Sequence, residues 1–177
     1  MKINFEGSTV LVTGGVRGIG RSIVREFAIN GAKVWALDIE EGLLGEITKG
    51  LPDKISSRIS CVHCDITNPI AVKKVVTDIE AVSISGSVDV AVHSAGGVRS
   101  RVKTPIEDVT DEDWRIIQSV NLDGSFNIAR AVVPGMKKAG KGRIIVISSR
   151  AGIGVSLTGI QSYGTAKAAQ IGLVKQL

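Results

Sequence analysis

A tyrosine and a lysine near the end of the chain have types and a spacing suited to acid–base chemistry. Tyr163 and Lys167 are four positions apart, so on a helix they would lie on one face, one turn from each other. An ammonium group at that distance favours the ionised form of a phenol, which can then give and take a proton. The pair alone has a plainer interpretation, because a lysine on an exposed helix face is usually a solvated charge. Its function must therefore be inferred from the elements that surround it.

A glycine-rich turn near the N-terminus is the second feature that indicates chemistry. The β-branched run 9–13 leads into Gly14, Gly18 and Gly20, and a helical pattern follows up to residue 31. Such glycines let backbone amides and the positive end of a helix approach a diphosphate. A side chain at Gly14 or Gly20 would block this approach or the packing of helix on strand. A lone glycine motif, however, is more often only a tight turn.

The next apolar run ends in a carboxylate. Residues 33–38 are typical of a strand, and Asp38 at its end lies about 20 residues beyond the glycine turn. A carboxylate there can accept hydrogen bonds from both ribose hydroxyls of a nucleotide. The strand, glycines, helix, second strand and terminal aspartate together favour a dinucleotide site over a plain turn.

The chain resembles the short-chain dehydrogenase/reductase family, in the classical single-domain form of the 3-oxoacyl-acyl-carrier-protein reductases. The resemblance covers essentially all 177 residues, and five motifs carry it in the family's order. They are Thr13-Gly14-x-x-x-Gly18-Ile19-Gly20, Cys64-Asp65-Ile66-Thr67, Ser94-Ala95-Gly96, Val120-Asn121, and Ser149-x-x-Gly152 followed by Tyr163 and Lys167.

This resemblance implies an NAD(P)-dependent oxidoreductase that interconverts a secondary alcohol and a ketone, without a metal. The implied catalytic residues are Asn121, Ser149, Tyr163 and Lys167. The implied cofactor-binding residues are Gly14, Arg17, Gly18, Ile19, Gly20, Asp38, Asp65, Ile66, Ala95, Gly96, Tyr163 and Lys167.

Each catalytic residue has an implied role. Tyr163 would give its proton to the carbonyl oxygen as hydride arrives, and Lys167 would stabilise the phenolate and bind the nicotinamide ribose. Ser149 would hold and polarise the substrate oxygen. Asn121 would hold a water that links Lys167 to solvent, or would instead cap a local helix irregularity before Gly124. The sequence leaves both interpretations of Asn121 open.

Three features depart from the family's pattern. His93 stands where the family has the first Asn of its NNAG motif, and an imidazole can still make one hydrogen bond there. Ser149 lies 14 positions before the tyrosine, one more than in many relatives, and is chosen over Ser148 because Gly152 follows it by three positions. The chain ends at Leu177, within the helix that begins near the tyrosine, whereas relatives continue through two more strands and the helices that close over substrate. We therefore expect a C-terminally truncated member.

Alternating strand and helix patterns predict one α/β domain over residues 1–177. After Asp38 we expect a helix near 40–48, a strand near 58–65, a helix at 69–84, and strands at 88–93 and 143–148. Thr110 and Asp113 predict the start of a long helix through Asn121, which Pro134 kinks or ends. Right-handed crossovers then give a Rossmann-type, doubly wound parallel sheet of order 3-2-1-4-5, lacking the family's last strands. Its ligand crevice would lie at the carboxyl ends of strands one and four.

Composition agrees with a soluble, cytoplasmic domain. The chain is 44% hydrophobic, yet no run approaches the roughly 18 apolar residues that span a bilayer, and residues 1–6 do not resemble a signal peptide. Cys61 and Cys64 suggest a metal or redox pair, but on a strand they would point to opposite faces, which favours structural cysteines. The net charge of +5 is spread along the chain and aromatic residues are only 3%, so we expect no nucleic-acid partner.

Cofactor choice depends on two opposed residues. Asp38 would repel a ribose 2′-phosphate, whereas Arg17 can attract one or remain a solvated side chain. Because no basic residue follows Asp38 before Lys49, we predict NAD, with NADP disfavoured. The basic segment 99–103 can steer an anionic substrate, or can equally be a solvated loop.

Two further expectations concern activity and association. The intact set of catalytic residue types favours an enzyme, whereas the truncation leaves a nucleotide-binding fragment without turnover as the alternative. The helices around Asn121 and after Tyr163 resemble those that pair family members as homodimers or homotetramers, although part of this surface must cover the sheet. We expect the 177-residue chain itself to expose an unpaired strand edge.

Overall fold

A computed structural model describes residues 3–99 and 102–177 of the chain. The five strands are β1 (Thr9–Thr13), β2 (Lys33–Asp38), β3 (Ile59–His63), β4 (Val90–His93) and β5 (Arg143–Val146). The six α-helices are α1 (Gly18–Ile29), α2 (Asp53–Ser56), α3 (Pro69–Val82), α4 (Asp111–Gln118), α5 (Gly124–Ala139) and α6 (Gln161–Gln176). Short 3-10 turns occupy Glu41–Glu46, Ile106–Asp108 and Arg150–Gly152, and a π-helical turn occupies Ser119–Asp123.

The strands form one parallel sheet in the order β3-β2-β1-β4-β5, which confirms the predicted Rossmann-type topology. Val12 of β1 lies opposite Ala36 of β2 and Val92 of β4, so the carboxyl ends of these three strands are level with one another. The loops that leave these ends therefore meet at one edge of the sheet, where a ligand crevice forms in folds of this kind.

Helices cover both faces of the sheet, and the residues of β1 alternate between the two cores. Leu11 packs on the face covered by α3 and α5, whereas Val10 and Val12 pack on the face covered by α1. Every residue of β1 is buried, as expected for a central parallel strand. Cys61 belongs to one core and Cys64 to the other, so the two thiols diverge as predicted.

The predicted helix near 40–48 is wrong, because this segment forms the 3-10 turn Glu41–Glu46. Gly42 and Gly45 make a regular α-helix unfavourable here. Carbonyl groups at the end of the segment instead accept hydrogen bonds from arginines of α1.

The long helix predicted from Thr110 is present but divided by the π-helical turn. The Thr110 hydroxyl accepts a hydrogen bond from the Asp113 N–H (3.1 Å), as the capping pattern predicted. Pro134 does not end α5, which continues to Ala139 and stops at Gly140 in the left-handed conformation. Proline removes one backbone hydrogen bond, and Val132 and Met136, buried on either side of it, hold this part of α5 against the core.

Candidate functional site

The turn between β1 and α1 has the geometry required for a phosphate site. Gly14 has a φ of 65°, and a Cβ there would lie 2.7 Å from the Cα of Ala95. A Cβ on Gly20 would collide with the carbonyl oxygen of Gly14. No side chain caps the first turn of α1, so its amides are free to bind an anion.

A cavity of about 570 Å³ opens at the carboxyl ends of the strands. All of the residues predicted to bind the cofactor line it, from the glycine turn through Asp38 and Asp65 to Tyr163 and Lys167. Ser149 and Asn121, both predicted to be catalytic, are not among its lining residues. Lining residues that the sequence did not single out are Leu37, Ile39, Gly97 and Ile147, and Ser148, which was set aside in favour of Ser149, also lines the cavity. Most of these are sequence neighbours of predicted residues, which is the signal that would have found them.

Asp38 is buried at the end of β2 and is fixed from two sides. One carboxylate oxygen accepts a hydrogen bond from the Val16 N–H (3.3 Å), and the other from the Glu40 N–H (3.1 Å). A carboxylate has about four acceptor positions, so it retains capacity for ribose hydroxyls. The hydrogen bond from Val16 therefore ties the glycine turn to the Asp38 carboxylate.

Tyr163 and Lys167 lie one turn apart on α6, as the spacing predicted. Nζ of Lys167 is 5.6 Å from the centroid of the Tyr163 ring and donates a hydrogen bond to the Ile147 carbonyl (2.8 Å). The lysine is almost wholly buried, and burial lowers its pKa to about 8. It is therefore a positioned, partly desolvated cation and not the solvated charge of the plainer interpretation.

This pKa predicts a pH dependence of stability. The pKa of a lysine in the unfolded chain is about 10.4. Between the folded pKa of about 8 and this value, Lys167 is protonated in the unfolded chain and neutral in the folded protein. The free energy of unfolding must then rise with pH across this interval. Between about pH 7 and about pH 10, we expect the free energy of unfolding of wild type to rise by on the order of 2 kcal/mol more than that of Lys167→Met.

Urea unfolding at a series of pH values measures this difference, with Lys175→Met as the control. Lys175 is exposed on the same helix, so its replacement should leave the pH profile like that of wild type. If the free energies of unfolding of wild type and Lys167→Met changed with pH in parallel, the expected lowering of the Lys167 pKa by burial would be contradicted.

Asn121 sits in the π-helical turn and is fully buried. Its side-chain oxygen accepts from the Gly97 N–H (3.1 Å), and its amide nitrogen donates to the carbonyls of Gly97 (3.0 Å) and Ile117 (2.9 Å). The helix irregularity considered for this residue is thus present, and the side chain also clamps the cavity wall at Gly97. Its backbone carbonyl accepts a hydrogen bond from the buried Gln170 side chain (2.6 Å), a contact that sequence reasoning missed.

The two adjacent serines are engaged in different ways. The Ser148 hydroxyl donates its hydrogen to the backbone carbonyl of Lys167 (2.9 Å). The Ser149 hydroxyl accepts from the Ala151 N–H (3.2 Å), which leaves its own hydrogen free to donate elsewhere. A Cβ on Gly152 would lie 2.7 Å from the backbone of Lys167, which explains why a glycine follows Ser149 by three positions.

His93 is hydrogen-bonded between the ends of β1 and β4, so the imidazole makes the one hydrogen bond expected where the family has asparagine. The Thr13 hydroxyl oxygen accepts from the N–H groups of Ser94 and Ala95, so its hydrogen is left for Nδ1 of His93 (3.1 Å). Burial lowers the pKa of His93 to about 3, and the nearby charge of Lys167 acts in the same direction. The imidazole is therefore neutral and serves as a hydrogen-bonding brace.

Other site types find little support among residues 3–99 and 102–177. No three His, Cys, Asp or Glu side chains of this part of the chain are grouped so as to hold a metal ion. No helix within it is long and apolar enough to cross a membrane. Arg99 of the predicted basic segment lines the cavity, whereas Ser100 and Arg101 lie outside the described residues.

Comparison with known proteins is consistent with this geometry. The family model for short chain dehydrogenase matches residues 8–177. The chain is 34% identical over 175 residues to the 3-oxoacyl-(acyl-carrier-protein) reductase FabG of Escherichia coli strain K12, covering 99% of this chain and 68% of the relative. It is 35% identical over 174 residues to the oxidoreductase UcpA of Salmonella typhimurium, covering 97% of this chain and 62% of the relative.

The fold also matches solved structures. The crystal structure of gox2181 aligns with a TM-score of 0.89 at 28% identity, over 99% of this chain and 67% of that one. The chain thus spans about two thirds of the length of its relatives. The matched family model, the similar enzymes and the shared fold together identify the chain as a member of the short-chain dehydrogenase/reductase family of oxidoreductases.

Proposed function

We propose that this protein uses NAD to interconvert a secondary alcohol and a ketone. One observation carries the proposal: a single cavity is lined by the glycine turn, by Asp38 and by the Tyr163–Lys167 pair. The glycine turn and the uncapped start of α1 fit a diphosphate, and Asp38 fits an adenosine ribose with two free hydroxyls. When bound, the nicotinamide supplies or takes up a hydride.

The residues of the chain handle the proton and the substrate oxygen. Tyr163 donates its proton to the carbonyl oxygen in reduction and recovers it in oxidation. Lys167, with a pKa near 8, is largely protonated at neutral pH, so it stabilises the phenolate and can bind the nicotinamide ribose. Ser149 donates its free hydroxyl hydrogen to the substrate oxygen.

Asn121 has a positioning role in this scheme. Its side chain holds both backbone polar groups of Gly97, and a Cβ on the adjacent Gly96 would meet the Asn121 side chain and lie 3.6 Å from Nζ of Lys167. The amide therefore holds the backbone of the cavity wall that lies next to the lysine. A water held nearby would link Lys167 to solvent, as the family resemblance implies.

The preference for NAD over NADP is a prediction that follows from Asp38. Its carboxylate is buried at the ribose position and would repel a 2′-phosphate. We expect NADH to bind at least about tenfold more tightly than NADPH, which corresponds to ~1.4 kcal/mol. Fluorescence titration of the purified chain with each cofactor tests this, and tighter binding of NADPH would contradict it.

The substrate is proposed as a chemical class. The similar enzyme from Escherichia coli is named for 3-oxoacyl groups on acyl-carrier protein, and exposed apolar residues on the loop after the Arg150–Gly152 turn suit an acyl chain. Arg99 lines the cavity, and its positive charge can attract an anionic head group. We therefore propose 3-oxoacyl or similar ketone substrates.

Two further proposals accompany this function, and one alternative stands beside it. The helices that carry Asn121 and Tyr163 would pair as a homodimer or homotetramer in a full-length protein. The two unpaired cysteines fit a reducing compartment such as the cytoplasm. The second candidate is a nucleotide-binding protein without turnover, and the chain spans about two thirds of the length of its relatives. It predicts NADH binding without oxidation of NADH by any ketone.

A further inference from the structure

Three arginines at four-residue intervals form a stripe along the start of α1. Arg17, Arg21 and Arg25 all face the segment that follows β2. Arg25 donates to the backbone carbonyls of Ile47 (2.9 Å) and Lys49 (2.7 Å). This stripe, called here the arginine ladder, therefore holds the segment after Asp38 against α1.

The other two members of the arginine ladder continue the same pattern. Arg21 donates to the carbonyl of Glu46 (3.2 Å). Arg17 makes an ion pair with Glu40, with 3.6 Å between its guanidinium nitrogen and the carboxylate oxygen. Both side chains of this pair are substantially exposed, so the pair is weak enough to be exchanged for another anion.

This ion pair lies beside the position of the nucleotide ribose. Arg17, Asp38 and Ile39 all line the cavity, and the Glu40 N–H donates to the Asp38 carboxylate (3.1 Å). Glu40 is therefore tied by its backbone to the carboxylate that selects the ribose. The Glu40 carboxylate forms an ion pair with Arg17 of the glycine turn. Without this ion pair, the Arg17 guanidinium could bind a ribose phosphate.

We propose that Glu40 is a specificity-determining residue that excludes dinucleotides with a phosphorylated ribose. The proposal rests on the NAD preference proposed above and adds a second residue to it. A 2′-phosphate would have to take Arg17 from Glu40 and would then face two carboxylates, those of Asp38 and Glu40. NAD has no 2′-phosphate and does not compete for Arg17. Replacement of Glu40 should therefore leave the affinity for NAD nearly unchanged.

The test is the ratio of NADH to NADPH affinity in Glu40→Gln, with Glu41→Gln as the matched control. Glu41 is the next residue and is also exposed, so its replacement changes the net charge equally. We expect Glu40→Gln to shift the ratio toward NADPH by about fivefold, the upper range for an exposed ion pair, and Glu41→Gln to leave it unchanged. Equal shifts in both variants would indicate a general charge effect and overturn the proposal.

A double-mutant cycle with Arg17→Gln gives the sharper readout. Removing Arg17 should weaken NADPH binding more in the Glu40→Gln background than in wild type, because only there is the guanidinium free. Equal effects in both backgrounds would overturn the proposal. A wild type that prefers NADPH would refute the NAD assignment, whereas the shift caused by Glu40→Gln would still test Glu40 by itself.

Discussion

Tyr163→Phe is expected to reduce turnover by about a hundredfold to ten-thousandfold, while the affinity for NADH stays nearly unchanged. The phenol is the proton donor of the proposed reaction, and phenylalanine preserves the ring without the hydroxyl. The ring also contacts Lys167, so its retention keeps the lysine in place. Steady-state oxidation of NADH with a panel of 3-oxoacyl thioesters and simple ketones measures turnover, and fluorescence titration measures binding.

Thr165→Ala is the matched control for this variant. Thr165 is exposed and lies two residues further along α6, so its replacement should change neither turnover nor binding. If Tyr163→Phe kept wild-type turnover, the proton would have to come from another group and the proposed mechanism would be wrong.

Ser149→Ala is expected to lower turnover by about a hundredfold, whereas Ser148→Ala should have a much smaller effect. The hydroxyl of Ser149 has a hydrogen free for a substrate oxygen, but that of Ser148 is donated to the backbone of α6. Replacing Ser148 removes one internal hydrogen bond and should cost about 1 kcal/mol of stability.

Initial rates with saturating NADH, together with thermal unfolding of both variants, separate the two effects. The comparison is informative because Ser148 lines the cavity and Ser149 does not. A larger loss of turnover in Ser148→Ala, at equal stability, would transfer the substrate-binding role to Ser148.

Much of the fold was predictable because local patterns determine it. The glycine turn, the strand end at Asp38 and the helical spacing of Tyr163 and Lys167 each need only neighbouring residues to specify them. Parallel strands with right-handed crossovers then leave few possible strand orders. The carboxyl ends of the strands, and hence the cavity, follow from that order.

The features that sequence reasoning missed depend on contacts between distant segments. The 3-10 turn Glu41–Glu46 is held by the arginine ladder of α1, about 20 residues earlier in the chain. The contact between Gln170 and the Asn121 carbonyl spans 49 positions, and no local pattern reports it. Of the two outcomes predicted for Pro134, a kink or an end of the helix, the structure excludes the end, because packing of buried neighbours keeps α5 helical past the proline.

The measurement that most directly tests the proposed oxidoreductase function is transfer of isotope from labelled NADH to a ketone. The purified chain is incubated with NADH carrying deuterium on the transferable face of the nicotinamide and with the ketone panel, and the products are analysed by mass spectrometry. We expect an alcohol with one deuterium on its carbinol carbon, and loss of that product in Tyr163→Phe. Tight NADH binding without deuterium transfer to any ketone would contradict the proposed oxidoreductase function and favour a nucleotide-binding protein without turnover.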